Sequence, residues 1–153
     1  MLKLTLAAVG RLRPEVRALA DEYAARVARF MEFSEVEVRE ASRAPAPAVQ
    51  RREEAARLRE KIVHGSRIVV LDRAGKALAS DALARELDRW RTAARPVCLV
   101  IGGSHGLAED LVQSADLAWS LGPLTLPHEL ARVVVLEQVY RAWTILRGEP
   151  YHK

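Results

Sequence analysis

The sequence predicts an α/β fold: a mostly parallel sheet flanked by helices. Two observations lead there. Strand-like segments alternate with helix-spaced segments along all 153 residues, the order that generates parallel strands with crossover connections. Two of the strand candidates, Ser66-Arg-Ile-Val-Val-Leu-Asp72 and Val97-Cys-Leu-Val-Ile101, are short and apolar almost throughout. Strands covered by helices on both faces have that composition.

The elements follow in order. Residues 2–9 alternate apolar and polar, turn fully apolar and stop at Gly10, which reads as a first strand. Pro14 opens a helix to about Phe30, with Val16, Leu19, Tyr23 and Val27 on one side. Glu35-Val-Glu-Val-Arg39 has strict period two and predicts a half-buried strand. Residues 41–48 are rich in Ala, Ser and Pro and form a loop. Residues 49–63 are charged and helical, and Gln50-Arg-Arg-Glu-Glu54 reads as a solvated face. After the strand at 66–72, residues 73–76 turn the chain. Ser80 then caps a helix whose apolar stripe is Leu83, Leu87 and Trp90. A strand at 96–101 leads to Gly102-Gly-Ser-His-Gly106 and a helix bearing Leu107, Leu111 and Val112. Residues 117–121 form a last short strand. A loop follows, then a long helix from about His128 to Arg147. No repeat or linker divides the chain, so one domain is expected over residues 1–153.

Composition narrows the function classes. Half of the residues are apolar and 29% charged, as in globular proteins. No apolar run is long enough to span a bilayer, and the N-terminus lacks the features of a signal peptide. A cytoplasmic protein without a membrane partner is therefore expected. Cys98 is the single cysteine and sits within an apolar strand, which suits an inert buried thiol. No metal site is expected. The net charge of +4 permits a polyanionic partner, but the charges alternate along the chain rather than forming a basic block.

Two loops are candidates for ligand binding. Gly102-Gly103-x-x-Gly106 lies between a buried strand and a helix, where glycines admit close approach of a ligand to the backbone. A plain turn explains it equally well. A dinucleotide fingerprint fails, because the spacing is not G-x-G-x-x-G and no acid follows about 20 residues on. A phosphate-binding P-loop fails too: Gly75-Lys76 is followed by Ala77 and preceded by no matching glycine. The second loop, Leu121-Gly-Pro-Leu-Thr-Leu126, is unusually apolar. It is either a buried crossover or an apolar pocket whose backbone reads a ring edge.

The last helix is apolar on nearly every side, including Leu130, Val133, Val135, Leu136, Val139, Trp143 and Leu146. Burial on all sides implies the core plus a subunit interface, most simply in a symmetric dimer. Arg132 has no partner one turn away, whereas Glu137 and Arg141 have favourable i,i+4 order. The chain ends in Pro150-Tyr-His-Lys153. Such a tail is ordinarily frayed, yet Tyr can stack on a base, His can move a proton and Lys can meet phosphate.

Taken together in order, several landmarks resemble one family, the RlmH-type methyltransferases of the SPOUT superfamily. They are Ile68-Val-Val-Leu-Asp72, Glu86-Leu-Asp-Arg-Trp90, Ile101-Gly-Gly103 with Gly106, Trp119-Ser120, Leu124-Thr-Leu-Pro-His128, Arg132, Tyr140-Arg-Ala-Trp143 and Pro150-Tyr-His-Lys153. The resemblance spans essentially the whole chain. It implies a deep trefoil knot in the C-terminal half. It also implies S-adenosylmethionine-dependent methylation of N3 of a pseudouridine in bacterial 23S (large-subunit) ribosomal RNA, on the assembled ribosome. S-adenosylmethionine would contact Leu71, Gly102 and the run Leu121, Gly122, Pro123, Leu124, Thr125 and Leu126. The family's homodimer would bind RNA across both subunits with the tail near the methyl group. In that scheme His152 is the candidate base or proton relay, and Tyr151 and Arg132 orient the target base. Ser104-His105 falls where the family varies and receives no role. The alternative is a non-catalytic, dimeric RNA-binding or ribosome-associated module.

Overall fold

The computed structural model describes residues 1–153. Five strands alternate with five helices: β1 (Lys3–Val9), α1 (Pro14–Ala28), β2 (Glu32–Val38), α2 (Pro47–Lys61), β3 (Arg67–Ala77), α3 (Ser80–Ala93), β4 (Val97–Ile101), α4 (Glu109–Ser114), β5 (Leu117–Ser120) and α5 (His128–Leu146). They build one sheet of order β2-β1-β4-β3-β5 in which every pairing is parallel. The expected α/β architecture is therefore present, with the inner positions taken by the most apolar strands.

Period-two alternation divides the core between the two faces of the sheet. Leu4, Leu6 and Ala8 of β1, with Val97, Leu99 and Ile101 of β4, join a cluster that also takes in α1, α3 and α5. Ala7 and Val9 of β1, with Cys98 and Val100 of β4, point the other way, toward Ala55 and Leu58 of α2 and Leu111 of α4. A one-residue slip of either strand would exchange the two cores. Cys98 is 1% exposed, and burial pushes its thiol up to about 11, as expected of an inert packing residue.

The structure corrects several local expectations. β2 begins at Glu32 rather than Glu35, because its pairing with β1 continues back to Lys3↔Glu32. Residues 73–76 do not turn the chain. β3 runs on to Ala77, and both Leu71 and Lys76 pair with Trp119, so residues 72–75 bulge out of the ladder. Ala79, not Ser80, is the N-cap of α3, and the Ser80 hydroxyl instead donates to Gln138 Oε1 at 2.6 Å. The stretch Gln50–Glu54 is not simply a solvated face: Gln50 and Glu54 are buried, and Gln50 Nε2 donates to Glu54 Oε2 at 3.1 Å. α5 is buried along Val133, Val135, Leu136, Val139 and Ala142, but Leu130 is 45% exposed.

Because all strands are parallel, their carboxyl ends share one edge. Along it lie Arg39 after β2, Gly10 after β1, Gly102 after β4, the bulge within β3 and Leu121 after β5. Ligands of open α/β sheets bind beyond this edge.

Candidate active site

A cleft of about 150 Å³, open on one side, lies over the ends of β3, β4 and β5. One wall is Leu71, Asp72 and Arg73 from the start of the β3 bulge; the floor is Ile101, Gly102, Gly103 and Gly106. The opposite wall is Leu121, Gly122, Leu124, Thr125 and Leu126, closed by His128 and Ala131 of α5. Thus Leu71, Gly102 and five of the six residues of the 121–126 run meet at one cavity. Pro123, the remaining one, is exposed and does not line it.

Close backbone approach builds this cavity. A Cβ on Gly102 would stand 2.5 Å from the Gly106 carbonyl carbon and 2.6 Å from its oxygen. The loop folds back on itself, with Gly106 N–H donating to Gly103 C=O at 3.0 Å. Gly75 plays the same part in the bulge: a Cβ there would meet Ala118 backbone atoms at 2.6 Å. The pairing of the bulge with β5 carries Asp72 and Arg73 to the cleft. Arg73 Nη1 then donates to Thr125 Oγ1 at 2.8 Å, linking the two walls across the mouth.

Behind the glycine loop stands Glu54, 1% exposed. Its Oε2 accepts from Ala41 N–H at 3.0 Å, while the buried Oε1 has no partner. Oε1 lies 3.4 Å from the position a Gly103 Cβ would take, and Val9 Cγ1 lies 3.0 Å from it. Gly103 is thereby held between cleft and core.

Arg132 sits elsewhere. Its side chain is 1% exposed and does not line the cleft. Its Nη1 donates to Glu35 Oε2 at 2.9 Å and to Glu37 Oε2, and its Nη2 donates to Gly10 C=O at 3.0 Å. Arg17 reaches the same two carboxylates, and the hydrogen bond to Glu35 raises the Arg17 pKa. The partner absent from α5 itself is thus supplied by β2. The network fastens the first turns of α5 and of α1 to the ends of β1 and β2.

The tail is docked, not frayed, on the far end of α5. Tyr151 Oη donates to Glu137 Oε1 at 3.1 Å and its ring stacks edge-on against Tyr140 at 4.8 Å. Burial, followed by the Glu137 carboxylate, pushes the Tyr151 phenol up to about 12. Tyr151 therefore keeps its proton at neutral pH and acts as a hydrogen-bond donor. The expected Glu137–Arg141 pair is present at 2.7 Å, and Arg141 lies 4.8 Å from the Tyr151 ring centroid. His152 Nδ1 lies 3.2 Å from Arg141 Nη1. A guanidinium only donates, so Nδ1 is the accepting atom of this contact. The tail packs on Glu137, Tyr140 and Arg141, which lie six to ten residues beyond Ala131 at the cleft, or roughly 9–15 Å along the helix axis.

Sequence reasoning missed Asp72, Arg73, Trp119, His128 and Ala131 as cleft residues. An acid closing an apolar strand was the one visible signal for Asp72; the bulge that presents it depends on pairing with β5. No group of three or more His, Cys, Asp or Glu side chains is placed to hold a metal ion. No helix is long and apolar enough to cross a membrane.

The chain is also similar to known proteins. Residues 2–152 match the family model described as "Predicted SPOUT methyltransferase". A protein of Anaeromyxobacter dehalogenans named "Ribosomal RNA large subunit methyltransferase H" is 46% identical over 153 residues, covering 99% of this chain and 100% of its own length. A Pseudomonas putida protein of the same name is 44% identical over 155 residues, with the same coverage. Among solved structures, a putative methylase family protein from Neisseria gonorrhoeae shares the fold at TM-score 0.57 and 12% identity, over 91% of this chain and 82% of that one. A probable methylase family protein from Haemophilus influenzae does so at TM-score 0.56 and 11% identity, over 100% of this chain and 72% of that one. The chain belongs to the SPOUT methyltransferase family, alongside the proteins named ribosomal RNA large subunit methyltransferase H.

Proposed function

We propose that this protein transfers a methyl group from S-adenosylmethionine to N3 of a pseudouridine in bacterial large-subunit ribosomal RNA, on the assembled ribosome. The observation that carries the reading is the convergence of Leu71, Gly102 and the 121–126 loop on one cleft, in a chain 46% identical to a protein named for that class of activity. The cleft suits the cofactor: its walls offer apolar side chains and close-lying backbone for an adenine ring. Asp72 is its single carboxylate, matched to ribose hydroxyls or a sulfonium charge. The bound cofactor supplies an activated methyl group. The protein's own contribution is orientation, exclusion of water and removal of the N3 proton.

The remaining assignments follow from the positions of the tail and Arg132. Tyr151 is a hydrogen-bond donor to the target base. His152 Nδ1 is the accepting atom for the departing proton once released by Arg141. Arg132 acts by fixing the first turns of α5, and hence His128 and Ala131 at the cleft. The protein works as a homodimer in the cytoplasm, each tail serving the partner's cleft. Exposed Leu19 and Leu130, with Val16 and Val133 between them, supply an apolar surface for that contact. The chain acts as one domain over residues 1–153. The β4-to-β5 connection crosses β3 to reach the far side of the sheet, the setting for a trefoil knot.

The test is to map methyl groups on ribosomal RNA from a strain lacking this protein, with and without complementation. The expected result is loss of one pseudouridine N3 methyl group, restored by the intact gene. An unchanged methylation map would refute the proposal.

A further inference from the structure

A second surface opens on the same edge of the sheet, beside the cleft. Gly10, Arg11, Glu37, Val38, Arg39 and Glu40 line a groove over the ends of β1 and β2. It runs through Arg39 and Glu40 into a second hollow bearing Arg43 and Arg57. The glycine loop stands between this groove and the cleft, tied to the groove by Ser104 Oγ donating to Glu40 Oε1 at 3.3 Å. Groove and cleft are thus neighbours across β4.

The charge along the groove is not balanced. Arg11, Arg39 and Arg43 are exposed, and none takes part in an ion pair. Four arginines, Arg11, Arg39, Arg43 and Arg57, face three acids along the groove and hollow, Glu37, Glu40 and Glu53, and of these Glu37 and Glu40 are already engaged. Glu37 is held by Arg17 and Arg132, and Glu40 accepts from Gln50 and Ser104. Arg57 spends one N–H on the Arg39 carbonyl at 2.7 Å, which fixes the strand end that presents Arg39. Most other surface arginines of the helices, such as Arg26, Arg59, Arg85, Arg89 and Arg91, are paired with acids. Unpaired guanidiniums in a concave surface suit phosphates, which accept their planar fork of donors.

We infer that Arg11, Arg39 and Arg43 form a phosphate track, in which the RNA strand flanking the target nucleotide lies while the nucleotide itself enters the cleft. This rests on the methyltransferase reading above. Two to three strand spacings of about 4.8 Å separate groove from cleft, so the contact falls on flanking nucleotides. Such contacts position without reading sequence. Removing these charges should weaken binding of the RNA substrate and leave cofactor binding intact.

The test compares Arg39→Glu/Arg43→Glu with Lys3→Glu/Arg91→Glu, a pair of equal charge change at the amino ends of β1 and β4. Each is assayed for S-adenosylmethionine affinity, for steady-state methylation of assembled ribosomes, and for binding to protein-free large-subunit RNA over a salt series. The inference expects the groove pair to raise KM for ribosomes by about tenfold or more. Cofactor affinity and kcat should stay within about twofold, and the salt slope for RNA binding should fall by about one for each phosphate no longer neutralised. The control pair should match wild type. Equal KM and salt slope for the two pairs would overturn the groove while leaving the methyltransferase reading standing. A weakening seen with ribosomes but not with protein-free RNA would overturn the assignment to RNA, in favour of an acidic protein surface. Wild-type protein that binds S-adenosylmethionine but methylates no ribosome would refute the underlying reading and the track with it.

Discussion

Arg132 and Arg141 stand nine residues apart on α5, and the helix treats them differently. Arg132, at the cleft end, is 1% exposed and bonded to two carboxylates of β2 and a carbonyl of the residue after β1. Arg141, at the tail end, is 26% exposed and bonded to Glu137 one turn away and to His152. The first arginine is a fastening whose removal leaves two carboxylates of β2 with Arg17 alone. The second is a tether for His152, the base of the proposed function. A charged residue on an apolar helix can therefore serve either the framework or the chemistry, and the number and burial of its partners separate the two.

The largest expected effect breaks the fastening. Arg132→Ala leaves Glu35 and Glu37 sharing only Arg17. Removing one partner of a buried pair costs roughly 3–5 kcal/mol. Arg17 and the partial exposure of Glu37 reduce that here to about 2–3 kcal/mol. Denaturant unfolding checks it, and an unchanged midpoint would show that α5 is anchored by packing alone. Arg141→Ala, by contrast, should leave the midpoint within about 0.5 kcal/mol, in the range of an i,i+4 pair, and slow methyl transfer. Next in size is Gly102→Ala, whose Cβ collides with the Gly106 backbone. Calorimetry should show cofactor affinity weakened at least tenfold, about 1.4 kcal/mol. Native affinity would mean that the glycine loop yields without closing the cleft.

A pH measurement sharpens the tail end. The Tyr151 phenol is raised from its ordinary value near 10 to about 12. A raised folded-state value favours the protonated form, so its contribution is whole below about pH 10 and fades as the pH climbs toward 12. Ultraviolet titration should show one tyrosine ionising late in wild type and none such in Tyr151→Phe. The smallest expected effect lies in the core. Cys98 is buried with its thiol raised to about 11, so a thiol reagent should label the native protein far more slowly than the unfolded one.

Much of the framework could be read from local pattern. The inner strands at 67–71 and 97–101 stand out because a strand covered on both faces has no polar side. The start of α1 at Pro14 and the extent of α5 follow from helix chemistry and periodicity. The misses share one cause: they depend on pairing between distant segments. The β3 bulge exists because Leu71 and Lys76 both face Trp119, and a local window reads Arg73-Ala-Gly-Lys76 as a turn. Glu54 looks solvated by composition but is buried because α2 packs over Val9 and the glycine loop. The partners of Arg132 lie 95 and 97 residues away. For the candidate site, periodicity offered two ambiguous loops, and family resemblance named the residues of one pocket. Neither indicated that the tail docks on the second half of the helix whose first turn closes the cleft.

Under the proposed function each tail serves the partner's cleft, so a working site is shared between two protomers, and subunit complementation probes that sharing. One parent carries Gly102→Ala in the cleft; the other carries His152→Ala in the tail. Each homodimer should transfer methyl groups to ribosomes poorly, although the His152→Ala parent retains cofactor affinity. After subunit exchange, a mixed dimer pairs one intact cleft with the intact tail of the opposite protomer. Single-turnover methylation should reappear in the mixture. A mixture as inactive as its parents, with exchange verified, would contradict a site shared between subunits.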